Sequence, residues 1–184
     1  LLIRKDGIGI ELEPDLRRVQ LIIAELGLLK ARPCTTPGVK RSQEEEVQDQ
    51  GKYLRYESAS AYRATTARCN FLAQDWYQLL FAVKECCRTM SKPTTAGLEK
   101  LKRIGRYLKG NRRFVLVFEF QDCVTFLDIF VDANYADCVG TRKSTSGGAV
   151  KFGKHTLGCW STTQSIIELS SACLLYTSPS PRDP

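Results

Sequence analysis

The sequence predicts an α+β fold in which a helical block is followed by an antiparallel meander of strands. Two observations carry that prediction. Between Ser60 and Leu108 apolar residues recur every three or four positions, the period of helices packed on one face. From Phe114 onward the pattern changes to β-branched and aromatic runs separated by Gly, Lys and Thr/Ser turns. A chain of 184 residues that is 43% hydrophobic has enough apolar surface for one domain or two small ones. No apolar run approaches the length of a membrane span, so no membrane partner is expected.

The elements follow in order. Gly7, Ile8, Gly9, Ile10, Glu11 and Leu12 alternate and suggest the end of a hairpin. Pro14 and Asp15 then open a helix. Leu16, Val19, Ile22, Ile23 and Leu26 fall on one face of it, and Gly27 supplies the stop. Pro33 and Pro37 break the chain. The polar run from Ser42 to Gly51, SQEEEVQDQG, reads as a solvated linker extending over residues 42–56. The helical block, residues 57–113, starts with a helix from Ser60 to about Ala73. Asp75 is expected to cap a second helix, striped by Trp76, Leu79, Leu80, Val83, Cys86 or Cys87, and Met90. Pro93 separates it from a third, capped near Thr95, with Leu98, Leu101, Ile104 and Leu108 inward.

That third helix and its exit are strongly basic. Lys100, Lys102, Arg103, Arg106, Lys109, Arg112 and Arg113 accompany a single nearby acid, Glu99. The whole chain carries 27 Lys and Arg against 20 Asp and Glu, a net charge of +7 that favours anionic partners. A run of cations on a helix is commonly just a solvated face. Phosphate backbones reward it nonetheless, because each neutralised phosphate releases a condensed counterion. Lys100, Arg103, Arg106, Lys109, Arg112 and Arg113 are therefore the candidate nucleic-acid-binding residues.

Two other chemistries find no support. The eight cysteines include no CxxC pair, although Cys86 and Cys87 are adjacent, and His155 is the only histidine in the sequence to complete a zinc site. Reduced, mostly buried thiols in an intracellular protein are expected instead. The single histidine, His155, sits in a Gly-Lys-His turn and reads as a solvated hairpin residue.

In the strand region, Phe114–Phe120 precedes Cys123–Asp132. On the second run Val124, Phe126 and Phe130 share a face with Asp128 and Asp132, while Leu127, Ile129 and Val131 fill the other. Apolar residues on both faces predict a central strand covered on two sides. That strand delivers one carboxylate, Asp132, and then breaks into a turn and a Thr/Ser/Gly hairpin. The runs Ser144–Gly153 and Thr156–Ile167 complete the meander. By itself Asp132 reads as readily as a strand-end residue capping a turn as it does as a catalytic one.

The block from Phe130 to Gly148, FVDANYADCVGTRKSTSGG, closely resembles the start of the RNase H domain of copia-type retrotransposon Pol polyproteins. The family pattern runs roughly Asp-x-Asp-Trp-Ala-Gly-Cys and then TRKSTSGG, which Thr141 to Gly148 match letter for letter. Upstream, AYRATTARCNFLAQD (Ala61–Asp75), FAVKECCR (Phe81–Arg88) and EKLKRIGRYLKG (Glu99–Gly110) resemble the segment that joins polymerase to RNase H. ELGL (Glu25–Leu28) and TPGVK (Thr36–Lys40) resemble the end of the reverse transcriptase. The resemblance thus divides the chain into a reverse-transcriptase end (residues 1–41), the linker, a connecting region (57–113) and half an RNase H-like domain (114–172), truncated before its first helix.

The resemblance also implies chemistry. It makes Asp132 the first catalytic carboxylate and a ligand of magnesium. Cleavage by this fold uses two divalent ions roughly 4 Å apart, which one aspartate cannot hold. Asn134 stands where the family often has a second Asp, and Tyr135 where it has Trp. The family's next carboxylate is a Glu just after Ser-Ser-Ala or Ser-Ser-Gly. Here Ser170, Ser171 and Ala172 are present without it, and Glu168, which precedes them, is not assigned the role. Cys173–Asp183 reads back as a transposase adapter used to build sequencing libraries. The native sequence is therefore expected to end near Ala172, and residues 173–184 stay outside fold reasoning. The first residue is Leu1 rather than Met, so the chain is expected to be open at both ends.

Two functional readings follow. The first is a Pol fragment whose parent copies element RNA and degrades the RNA strand of RNA/DNA hybrids with Mg2+, in a cytoplasmic particle and the nucleus. Its partners would be nucleic acid and the rest of the polyprotein. The fragment itself, lacking the polymerase Tyr-x-Asp-Asp motif and the later carboxylates, is expected to be inactive. The second is a non-catalytic nucleic-acid-binding module resting on the basic helix. In either case the truncated meander is expected to expose Phe126, Ile129 and Val131 beside an unprotected sheet edge.

Overall fold

The computed structural model describes residues 2–5, 9–39, 51–136 and 141–167. The helices are α1 (Leu16–Glu25), α2 (Tyr56–Asp75), α3 (Leu80–Cys87) and α4 (Thr95–Gly110). The strands are β1 (Leu2–Lys5), β2 (Gly9–Glu13), β3 (Leu116–Glu119), β4 (Asp128–Asn134), β5 (Thr145–Phe152) and β6 (His155–Thr163). The protein is α+β. It divides into two compact units, Leu1–Val117 and Phe118–Pro184.

In the first unit β1 and β2 form the expected antiparallel hairpin, with Leu2 opposite Glu13 and Lys5 opposite Ile10. The sheet has the order β1-β2-β3, so the run Phe114–Phe120 supplies a strand to this sheet. Asp15 caps α1, its carboxylate accepting from the Arg17 amide at 3.0 Å. The helix ends in a Schellman turn. Gly27 takes φ +67°, its amide donates to Ala24 O, and the Leu28 amide donates to Ile23 O, both at 3.0 Å. That geometry folds Leu28 back into the core, where it is 8% exposed.

α2 begins at Tyr56, ahead of the expected Ser60, and runs through Asp75. Asp75 therefore ends one helix and does not cap the next. The chain leaves helical geometry at Trp76 (φ −128°, ψ 80°), whose buried ring stacks on Phe114 with centroids 5.3 Å apart. A short 3-10 turn, Tyr77–Leu79, then leads into α3. Burial of so large a ring accounts for the break, since an uninterrupted helix would not direct it to the same place.

α4 is capped by Thr94, whose hydroxyl accepts from the Gly97 amide at 3.1 Å. Leu101, Ile104 and Leu108 are fully buried, together with Ile22 of α1, Leu72 of α2 and Val83 of α3. Each such side chain contributes about 1.5–3 kcal/mol. Gly105 lets the end of α1 approach; a methyl group there would sit 2.6 Å from Leu28 Cδ1. Inside the core the Tyr62 hydroxyl donates to Cys86 O at 2.8 Å. The described cysteines are free thiols. Cys69 and Cys86 are buried, and burial pushes the Cys86 thiol up to about 12.

In the second unit β4, β5 and β6 form an antiparallel three-strand meander in that order. Two expectations are corrected here. The strand begins at Asp128, not Cys123, and continues past Asp132 to Asn134 before the turn at Tyr135–Ala136. It is also not a covered central strand. Among the described residues β4 pairs only with β5, and Ile129, Phe130 and Val131 are 41%, 57% and 41% exposed. Apolar side chains on both faces require cover on both, and the described chain lacks it. Phe126, Ile129 and Val131 are exposed as expected, and among the described residues the other edge of β4 is unpaired.

His155 does lie at the β5–β6 hairpin, but its ring is not simply solvated. Nε2 donates to Glu119 O at 2.6 Å and Nδ1 accepts from Gln121 Nε2 at 3.2 Å. Most of the polar linker, residues 137–140, and residues 168–184 with Glu168, the Ser-Ser-Ala run and the adapter-like end lie outside the described residues.

Candidate functional site

Asp132 sits in the second half of β4 and is exposed. Its Oδ1 accepts from the Ala133 amide at 2.8 Å. Across the sheet it pairs with Gly147, which in turn pairs with Ser161, so one row of the face reads Asp132, Gly147, Ser161. Directly opposed residues of an antiparallel ladder share a face. Gly147 thus leaves the carboxylate without a bulky neighbour. Asn134 follows on the same face about 7 Å along, and Asp128 lies about 13 Å back.

The Thr/Ser/Gly stretch that gave the sequence match works structurally. Gly148 lies against the Trp160 indole and Phe130 O, and a Cβ there would collide with both. This contact pins the register that places Gly147 beside Asp132. The Ser144 hydroxyl accepts from the Ala136 amide at 3.0 Å, and Ser144 O accepts from the Gln164 amide at 2.9 Å. Gln164 Nε2 donates to Ser146 Oγ at 2.8 Å in a buried bond. These bonds clamp the turn that follows β4 to the end of β6. Periodicity did not single out Gln164, because its role depends on a partner on the neighbouring strand, 18 residues earlier in the chain.

Magnesium prefers near-octahedral oxygen coordination. Among the described residues no cluster of three or more His, Cys, Asp or Glu side chains could hold a metal ion. Asp132 with Asn134 does not amount to a two-ion site.

The predicted basic face belongs to the first unit, and folding gives most of it partners. Lys109 Nζ donates to Leu29 O and Ala31 O at 2.6 and 2.7 Å. Arg106 Nε donates to Arg32 O at 2.9 Å, and Arg103 Nη2 to Thr36 Oγ1 at 2.8 Å. The three residues fasten the segment after α1 along α4, while Arg103 Nε is buried without a partner among the described residues. Lys100 lies 3.9 Å from Glu85, a carboxylate already bridged by Lys84 and Arg88 at 2.8 and 3.0 Å. Burial disfavours the Glu85 carboxylate, yet these cations outweigh it and hold its carboxyl below the ordinary value. Arg113 makes a fork to both carboxylate oxygens of the buried Glu13, at 2.9 and 3.3 Å. Glu99 is therefore not the sole nearby acid; Glu85 and Glu13 join the face from elsewhere in the chain. Lys102 and Arg112 remain exposed.

Comparison with known proteins adds two matches. Over 157 residues the chain is 27% identical to the retrovirus-related Pol polyprotein from transposon RE1 of Arabidopsis thaliana, a match covering 85% of the chain. The chain resembles part of a retrotransposon Pol. It is also 25% identical over 150 residues, 82% of its length, to the uncharacterized mitochondrial protein AtMg00810 of the same plant. The match spans 60% of that mitochondrial protein and 10% of the RE1 Pol polyprotein. Both are consistent with a stretch of copia-type Pol. No protein-family model matches the chain, and no solved structure does. No helix among the described residues is long and apolar enough to cross a membrane.

Proposed function

We propose that the chain is the stretch of a copia-type Pol that joins reverse transcriptase to RNase H. In this reading the helical unit is the connecting region and the meander is the opening of an RNase H-like domain. Asp132 is the first carboxylate of the hybrid-cleaving site in the whole polyprotein. Mg2+ is a cofactor of that complete domain, where it would stabilise charge on the phosphate being cleaved. The parent would act in a cytoplasmic particle and the nucleus, with RNA/DNA hybrid and the remainder of Pol as partners.

The observation that carries the reading is the strand-borne Asp132, exposed beside Gly147 in a meander whose second strand contains the end of the TRKSTSGG match. The chain alone is expected to show no magnesium-dependent cleavage of a labelled RNA/DNA hybrid. In a longer Pol chain carrying further carboxylates, Asp132→Asn is expected to abolish cleavage and leave hybrid binding intact. Robust cleavage by the present chain that disappears in Asp132→Asn would overturn the proposal of an inactive fragment.

A second reading, a non-catalytic nucleic-acid-binding module, is favoured by the exposed cations of α4 and its exit. Lys102→Glu with Arg112→Glu should weaken duplex binding and flatten its salt dependence, the slope falling by about 0.9 for each phosphate no longer neutralised. Binding that is absent or indifferent to salt would sink this reading.

A further inference from the structure

We propose that the segment Lys52–Tyr56, with Lys92 beside it, is a stacking platform for single-stranded nucleic acid. The proposal rests on the nucleic-acid-binding part of the function above and is independent of any cleavage. Its sequence alternates cation and ring: Lys52, Tyr53, Leu54, Arg55, Tyr56. Leu54 packs against the core, while Lys52, Tyr53, Arg55 and Tyr56 are all exposed. Tyr53 is 60% exposed and Tyr56 86%, the highest value among the exposed large apolar side chains of the described residues.

The backbone beneath these rings is fixed. Tyr53 pairs with Thr94 in an antiparallel bridge, the Leu54 amide donates to Pro93 O at 2.9 Å, and the Thr95 amide donates to Lys52 O at 3.0 Å. Two turns along α2 from Tyr56, Arg63 donates to Met90 O and Ser91 O at 2.8 and 3.3 Å. That contact holds the turn bearing the exposed Lys92 against α2. Two exposed cations, Arg55 in the segment itself and Lys92 on the turn it pairs with, accompany the tyrosines, with Glu57 the acid of the first turn of α2.

Chemistry selects the partner. A ring held out in water on an ordered backbone gains from a flat apolar surface, and the adjoining cations call for anions. A single-stranded polynucleotide offers both, as base faces and phosphates at a regular spacing. A duplex hides its base faces within the stack and can use only the cations. The Cα atoms of Tyr53 and Tyr56 are at most about 11 Å apart, within reach of neighbouring bases of an extended strand. α4 offers no exposed ring among its cations, so the two surfaces differ in what they can read.

The test uses the full chain, fluorescence anisotropy, and two labelled probes, oligo(dT) and a mixed-sequence duplex. Tyr53→Ala and Tyr56→Ala should each weaken oligo(dT) binding by about tenfold, equivalent to ~1.4 kcal/mol, and leave duplex binding unchanged. Tyr53→Phe and Tyr56→Phe should retain it, because the ring and not the hydroxyl stacks. Unchanged oligo(dT) affinity in the alanine variants overturns the platform, as does an equal loss for both probes. Duplex binding by the wild-type chain without oligo(dT) binding overturns the platform but not the nucleic-acid-binding reading; absence of both overturns the two together.

Discussion

The helical unit and the meander use similar residues in opposite ways. In the first unit Leu101, Ile104 and Leu108 meet side chains from α1, α2 and α3 and are fully covered, and most cations of α4 are fastened to carbonyls or carboxylates. In the second, a strand equally rich in apolar residues leaves Ile129, Phe130 and Val131 partly in water. Buried polar atoms there, including Trp160 Nε1 and Gln164 Oε1, lack partners among the described residues. Hydrophobic composition does not distinguish the two. What differs is whether the described residues supply a second layer, and a sheet needs one on each apolar face.

Core truncation should separate the units most sharply. Leu101→Ala is expected to cost about 2–5 kcal/mol, because it leaves a cavity that its neighbours cannot close. Phe130→Ala, on a ring already half in water, should stay within about 0.5 kcal/mol. Urea unfolding midpoints of the two variants check this, and equal losses would erase the distinction.

The meander still has one tightly packed place, and a smaller change probes it. Gly148→Ala should destabilise the sheet by about 1–3 kcal/mol, since the added methyl meets the Trp160 ring and Phe130 O. Because Trp76 and Trp160 lie in different units, near-UV circular dichroism with and without Trp160→Phe assigns the signal that disappears. Unperturbed Trp160 ellipticity in Gly148→Ala would show that the register does not depend on that packing.

The smallest effect expected is electrostatic. Glu85 has a folded pKa below its unfolded one, so its contribution is present above the ordinary glutamate value, about 4.3. It is lost as the pH falls through the lower folded value. The carboxylate is partly exposed and its partners are surface cations, so under about 1 kcal/mol is at stake. Urea midpoints across the acid range should fall less steeply for Glu85→Gln than for the wild-type chain, and parallel curves would remove Glu85 from the account.

The helices were legible because their information is local. The spacing of Val19, Ile22 and Ile23, the cap at Asp15 and the stop at Gly27 each act within a turn or two. The break at Trp76 was misplaced by a residue or two, since it depends on a ring finding Phe114 and Tyr107. Asp132 was placed correctly on a strand followed by a hairpin. Its surroundings were not readable, because Gly147, Ser161 and the Ser146–Gln164 bond arrive from other strands.

The basic helix marks the limit of such reading. The sequence by itself determined that α4 would be amphipathic and cationic, that strands would follow it, and that one carboxylate would stand at the end of an apolar run. Only the tertiary structure decided that Lys109 and Arg106 bind carbonyls, that Arg113 pairs with Glu13, and that Tyr53 and Tyr56 face solvent beside Lys92. The partners of those cations lie 74 to 100 residues away in the chain. A side chain's period sets which face it occupies, whereas its partner is set by which distant segment the core brings to that face.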